Sequence, residues 1–209
     1  MRLPRELDGA EVRVLGCLLE KQRTTPDAYP LTVNALTAAC NQKSNRHPVM
    51  QMTATDVENT LARLRSEVMV WPEEGARVTR WSHTLDRKWG LSDDAMAVMA
   101  VLMLRGPQTS GELRSRTERM VSFSSIHDIE ATLVRLTGGD EPLVVQLGRQ
   151  PGQKEPRWMH VLAGEPTGVV EEILTSEAPR AGGLEARLAD LEERVARLES
   201  FLEETGGTL

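Results

Sequence analysis

Asp56-Val-Glu-Asn-Thr-Leu-Ala-Arg-Leu64 recurs almost intact as Asp128-Ile-Glu-Ala-Thr-Leu-Val-Arg-Leu136, 72 positions later. A second echo follows each copy: Arg80-Trp-Ser-His-Thr-Leu85 and Arg157-Trp-Met-His-Val-Leu162, at an offset of 77. Upstream, Leu7-Asp8-Gly9-Ala10 leads into Val12, Val14, Leu15, Leu18 and Leu19. Leu91-Ser92-Asp93-Asp94 leads into Met96, Val98, Met99, Leu102 and Met103, at an offset of 84. Self-similarity at such spacing marks one structural unit used twice. The falling offset means that the second copy lacks twelve residues before its third helix and gains five in its hairpin. Loops tolerate such changes at small cost.

Each copy reads as three helices and a hairpin. In the first, Asp8 and Glu11 have the spacing of a capping box, and Val12, Leu15 and Leu19 give one apolar stripe. Thr24-Thr-Pro26 ends that helix. Thr32 caps a second helix with Val33, Leu36 and Cys40 on one face. Thr53 and Asp56 start a third, striped by Ala54, Val57, Leu61 and Leu64; Ile126, Ile129, Leu133 and Leu136 occupy the same places in copy two. The period then changes. Val68–Trp71 and Leu143–Leu147 favour extended structure, Glu73-Glu-Gly75 and Gln150–Lys154 favour turns, and Arg77–His83 and Arg157–Val161 return. Three helices closed by a hairpin is the winged-helix plan, a variant of helix-turn-helix. The expected architecture is mostly α with small β-hairpins. It comprises winged-helix domains at 1–88 and 89–164, a linker at 165–183 and a coiled-coil helix at 184–204.

The chain has 209 residues and net charge −6. Residues 1–90 carry +2, residues 91–165 carry −2 and residues 166–209 carry −6, so the body is neutral and the excess sits in the C-terminal segment. Aromatics number only seven, which makes the core aliphatic and methionine-rich. No apolar run reaches the length of a membrane span and the N-terminus lacks a signal-like stretch, so a cytoplasmic protein is expected. Cys17 and Cys40, the only cysteines, read as two buried thiols in a reducing compartment.

In the C-terminal segment Leu184, Leu188, Leu191, Val195, Leu198 and Leu202 are spaced 4, 3, 4, 3, 4, a heptad seam. Glu185, Glu192 and Glu199 stand at e positions, and Arg187 and Arg194 at g. A parallel pair sets Arg187 against Glu192 and Arg194 against Glu199, whereas an antiparallel pair sets like against like. A parallel homodimer through these six apolar residues is therefore expected. An amphipathic helix folded back on its own domains is the alternative.

The polar stretch Asn41–His47 precedes the third helix of copy one. Asn41, Lys43, Asn45, Arg46 and His47 can donate to phosphates or base edges. They can equally form a helix C-cap and turn. With them, Arg63 on the third helix and Arg77, Arg80, Arg149 and Lys154 on the wings form the candidate nucleic-acid-binding set. The third helices begin with acid, Asp56 and Glu58, then Asp128 and Glu130, which opposes phosphate unless the aspartates act as caps.

Leu18-Leu-Glu-Lys-Gln22, Tyr29-Pro-Leu31, Ala39-Cys-Asn-Gln-Lys-Ser-Asn-Arg46, Pro48-Val-Met50, Leu104-Arg-Gly-Pro-Gln-Thr109 and Gly111-Glu-Leu-Arg114 resemble the uncharacterised bacterial YceH-like family over about residues 7–163. The resemblance implies two tandem winged-helix domains in a cytoplasmic bacterial protein. It implies no activity and no functional residues.

The sequence shows no catalytic motif, phosphate loop or metal-ligand spacing. His47, His83, His127 and His160 are dispersed, and His83 and His160, each two after a Trp, read as structural. Glu20 and Lys21 read as a solvated helix end. No enzyme, cofactor, metal or membrane partner is expected. The leading expectation is a dimeric, transcription-regulator-like binder of double-stranded DNA; the alternative is an adaptor that binds a protein.

Overall fold

The computed structural model describes residues 5–73, 78–138, 141–148 and 153–164. Side-chain caps set where five of its seven described α-helices begin. Asp8 accepts the Glu11 amide at 2.8 Å while Glu11 accepts the Asp8 amide at 2.9 Å, starting α1 (Gly9–Thr24). Thr32 caps α2 (Val33–Cys40), and Thr53 with Asp56 forms a reciprocal box on α3 (Ala54–Ser66). A short helix, α4 (Leu85–Trp89), precedes the second half. There α5 (Asp93–Arg105) follows Ser92, Thr109 and Glu112 start α6 (Ser110–Thr117), and Ser125 and Asp128 start α7 (Ile126–Thr137). Each of the five side-chain caps, at Asp8, Thr32, Thr53, Thr109 and Ser125, satisfies an amide that no helical carbonyl can reach, and is worth about 1 kcal/mol; the Ser92 side chain makes no such bond.

The caps also divide the length change between two places. Their offsets are 84 for Asp8 and Ser92, 77 for Thr32 and Thr109, and 72 for Thr53 and Ser125. Seven of the twelve residues are thus lost between the first and second helices, and only five in the segment after α2. The seven correspond to a 3-10 turn at Pro26–Ala28 and to the approach to a short strand, β1 (Leu31–Thr32).

The strands are two antiparallel groups. In the first, β2 (Val70–Glu73) and β1 flank β3 (Arg80–His83), with Leu31 opposite Trp81 and Trp71 opposite Ser82. In the second, β4 (Val144–Leu147) pairs β5 (Arg157–His160). Gln108 and Trp158 exchange both backbone hydrogen bonds, at 3.0 and 2.7 Å. That bridge is the counterpart of the Leu31–Trp81 pair, 77 residues on, so the added strand of the first half survives in the second as one pair. The strand begins two residues later than Val68 because Val68 is needed to end α3. Its amide bonds the Arg65 carbonyl at 2.9 Å and Met69 bonds Leu64 at 2.9 Å, with Val68 at φ 54. Architecture among the described residues is therefore α-rich, with seven α-helices and small antiparallel sheets.

One apolar interior runs through both halves. Glu11 to Leu19 are all buried on α1, and Ala95 to Leu104 are all buried on α5. The single stripe expected on α1, Val12, Leu15 and Leu19, accounts for three of the nine on that helix. Leu15 and Leu19 belong to it, but Val14, Cys17 and Leu18 are equally enclosed. The reason is that α1 packs on α2 and α3 and also lies against α5. A helix covered on both sides reads as apolar all round. Gly16 lies in this crossing: a Cβ there would stand 3.0 Å from the Leu104 side chain and 3.1 Å from Met103 Cβ. Gly16→Val is therefore expected to force the two helices apart and lower stability by about 1–3 kcal/mol, measured as a fall in urea midpoint.

Candidate functional site

The segment after α2 begins where two guanidinium groups meet the helix C-terminus. Arg13 donates to the Cys40 carbonyl at 2.9 Å and to Pro48 at 2.6 Å, and Arg46 Nε donates to the Ala39 carbonyl at 3.0 Å. Cations suit a helix C-terminus because its last carbonyls lack partners and carry partial negative charge. Arg46 also donates to both Glu20 oxygens, at 3.1 and 2.6 Å, with its own side chain fully enclosed. Of the two readings of this stretch, phosphate contact or helix C-cap and turn, Arg46 follows the second: it points inward, and Glu20 is its partner rather than part of a solvated end. The adjacent Cys17 and Cys40 are free thiols, both buried, as expected. The hydrogen bond to Cys17 and then burial push the Cys40 thiol up, so it stays protonated.

The rest of the segment divides between structure and surface. Asn41 pins the chain by donating to the Met52 carbonyl at 2.7 Å and accepting its amide at 2.8 Å. Asn45, at φ 61, accepts from Arg105, and the His47 amide bonds the Leu104 carbonyl at 2.7 Å, which ties the segment to α5. Gln42, Lys43, Ser44 and Asn45 line a cavity of about 390 Å³ with Glu20, Lys21, Thr24 and Arg119. Arg63 is held by Asp8 at 2.8 Å and by Glu11 at 3.1 Å, alongside Arg5. Arg5 beside Glu11 holds that carboxyl down to about 2. Arg80 donates to the Pro30 carbonyl at 2.9 Å, fastening its strand to the turn before α2. Lys154 is exposed. Arg77, Arg149, the linker and the heptad residues Leu184 to Leu202 lie outside the described residues.

What the outer faces of the third helices carry differs between the halves. On α3, Thr55, Glu58, Asn59, Ala62 and Arg65 are exposed. Asp56 is not offered to a ligand, because it accepts the Thr53 amide at 2.8 Å and hydroxyl at 2.7 Å. On α7 Ile126, at 40% exposure, Ala131 and Val134, at 63%, stand exposed among His127, Asp128, Glu130 and Arg135. Trp71 on β2 is 53% exposed. The spacing put Ala54 and Ile126 in the inward stripes; both are exposed because each opens its helix, and the remaining outward positions are the complement of the stripes.

His83 Nε2 lies 2.7 Å from the Gln22 side-chain oxygen and its Nδ1 accepts the Leu85 amide at 3.2 Å, so Nε2 carries the proton. Its aromatic neighbour is Tyr29, with ring centroids 6.2 Å apart, rather than the tryptophan two positions before it. Among the described residues no three His, Cys, Asp or Glu side chains gather as a metal site, and no helix is long and apolar enough to cross a membrane.

Residues 7–153 match the family described as "Protein of unknown function, DUF480". The chain belongs to this family. It is 48% identical over 194 residues to a UPF0502 protein of Geobacter metallireducens, covering 92% of this chain and 87% of the relative. It is 44% identical over 201 residues to one of Chromobacterium violaceum, covering 94% and 89%. The resemblance drawn from Ala39–Arg46 and its companion strings thus holds across nearly the whole chain.

Two outcomes follow from these placements. Arg46→Ala removes the partner of Glu20 and of the Ala39 carbonyl, and is expected to cost about 2–4 kcal/mol of unfolding free energy, while Lys43→Ala changes it by less than about 0.5 kcal/mol. Burial lowers the His83 and His160 pKa values to about 4, below the ordinary ~6.5, so the unfolded chain binds protons first as pH falls. Stability is therefore expected to be full above ~6.5 and to decline towards pH 4, read as the urea midpoint at pH 7, 5.5 and 4.5. His83→Gln should flatten part of that decline.

Proposed function

We propose that this chain is a non-enzymatic, dimeric tandem winged-helix protein that binds double-stranded DNA through the outer face of α3. The observation that carries the reading is that face itself. A capped helix in the third-helix position presents Thr55, Glu58, Asn59, Ala62 and Arg65 to solvent. Asn recognises adenine edges, Glu accepts from cytosine, and Arg pairs with guanine or phosphate. Small residues between them let a helix enter a major groove. The acid that opposed this reading is reduced, since Asp56 serves the cap. Of the positively charged candidates, Lys43 and Lys154 remain exposed and suit backbone contacts, whereas Arg46 and Arg63 are held by carboxylates.

Duplex binding measured at several salt concentrations tests this. Affinity should fall as salt rises, with a log–log slope of about −0.9 per phosphate contact. Asn59→Ala should cost about 1–3 kcal/mol on a preferred sequence, and Arg65→Ala should weaken binding and flatten the slope by about one unit if it contacts phosphate.

A second reading has its own support. The exposed Ile126 and Val134 on α7 and Trp71 on β2 suit a protein partner, as interface cores are apolar and rich in tryptophan. Absence of salt-dependent duplex binding even at 50 mM salt would leave the adaptor reading as the better one. Dimerisation rests on the heptad seam: Leu191→Asp with Leu198→Asp should convert the full chain to monomer mass in sedimentation, and an unchanged mass refutes a leucine-seam dimer.

A further inference from the structure

Positive charge is concentrated where the two halves of the repeat meet. Beside the 390 Å³ cavity lies another of about 270 Å³, and Glu20, Thr24, Asn45 and Arg119 line both. The first adds Lys21 and Lys43, from the end of α1 and the segment after α2. The second adds Arg105 from α5 and Arg116 from α6. Together they hold five cations against one lining carboxylate, Glu20, which accepts from Arg46 on both oxygens and lies 3.7 Å from Lys21, while Glu112 pairs with Arg116 at 3.4 Å. Burial, then the like charges of Arg116 and Arg46, lower the Arg105 pKa against the opposing pull of Glu20 and Glu112. Among the described residues, Lys43 and Arg119 have no ion pair. Hydroxyls of Thr24, Ser44 and Ser115 stand in the same walls.

We propose that this paired cavity is a binding site for a small phosphorylated molecule. Two adjoining spaces, each with its own cations and sharing Arg119, fit an anion with more than one charge. Arginine and lysine with hydroxyl donors are the groups that recognise phosphate oxygens. The second cavity also has an apolar wall of Val101, Leu104 and Met120, which suits a flat or apolar portion of the same ligand. The volume is that of a small-molecule site, and its concavity distinguishes it from the convex face of α3. Because α1, the segment after α2, α5 and α6 all contribute, an occupant bridges the halves. The site is independent of whether α3 binds DNA.

Thermal unfolding and calorimetry of the full chain, with inorganic pyrophosphate and with ADP at constant ionic strength, test the assignment. Millimolar amounts of at least one probe should raise Tm by about 5 °C or more relative to chloride. Lys43→Ala with Arg119→Ala, both at the cavity walls, should weaken that probe at least ~tenfold, whereas Arg87→Ala on α4, away from the cavity, should not. Tighter binding of ADP than of pyrophosphate identifies a nucleotide and use of the apolar wall; equal binding identifies the phosphate groups alone. No shift with either probe, or the same affinity in the double variant, overturns the proposal. So does a double variant that loses duplex binding while neither small anion binds, since the cavity is then a backbone contact.

Discussion

Everything else in the described structure hangs on the contact between α1 and α5. These equivalent helices of the repeat are the two that are buried along most of their length. Gly16 lets Leu104 approach at a distance that a side chain would deny. Around that axis the remaining helices need only one apolar face each: α2 and α3 cover α1, and α6 and α7 cover α5. The small strands pack on these helices, with Val70, Val144 and Trp158 reaching the interior. A domain of this size has little area to bury, and joining two repeats through their most apolar helices removes the exposed face each would have alone.

That joining explains what could be read in the sequence and what could not. Caps and stripes are local, so Asp8, Thr32, Thr53 and Ser125, and the positions Val57, Leu61 and Leu64 with Ile129, Leu133 and Leu136, were legible from spacing alone. The second face of α1 was not, because a period of 3.6 detects a difference between faces, and α1 has little. β1 was missed because two residues give no alternation to detect. Its signal lies in the pairing of Leu31 with Trp81, fifty residues away, and only the echo at Gln108 and Trp158 gives it away. Position 68 shows the opposite failure: a β-branched residue favours strand, but the chain needs a left-handed turn to leave α3.

The cations illustrate a deeper limit. Sequence composition counted them correctly and could not say which were free. Arg13, Arg46, Arg63 and Arg157 each find acceptors between 26 and 52 positions away: the Cys40 and Pro48 carbonyls, Glu20, Glu11, and the Pro107 carbonyl with Glu112. An arginine so held stabilises the fold and is lost to a ligand. Conversely, Lys21, Arg105, Arg116 and Arg119 carried no motif, yet the helix packing brings them to shared walls with Lys43. A neutral body is therefore compatible with a strongly positive cavity, because charges are segregated by folding rather than by sequence block.

The two third helices show how one duplicated segment serves different ends. At an offset of 72, inward positions keep their character: Val57 with Ile129, Thr60 with Thr132, Leu61 with Leu133, Leu64 with Leu136, all buried. Outward positions divide: Asp56 with Asp128, Glu58 with Glu130 and Arg63 with Arg135 keep their charge, whereas Ile126, Ala131 and Val134 stand where the first copy has Ala54, Asn59 and Ala62. The interior imposes the same volume on both copies, since packing at crystal-like density penalises even a methylene. Solvent imposes no such demand, so part of the outer face was at liberty to diverge, with larger apolar groups at two positions of α7 and an amide replaced by a methyl at a third. A change from Asn59 to its alanine counterpart contributes nothing to core packing, and exposing Val134 is mildly unfavourable in water. Neither difference is explained by stability, which makes these faces, rather than the repeated stripes, the places where the two halves differ in what they contact.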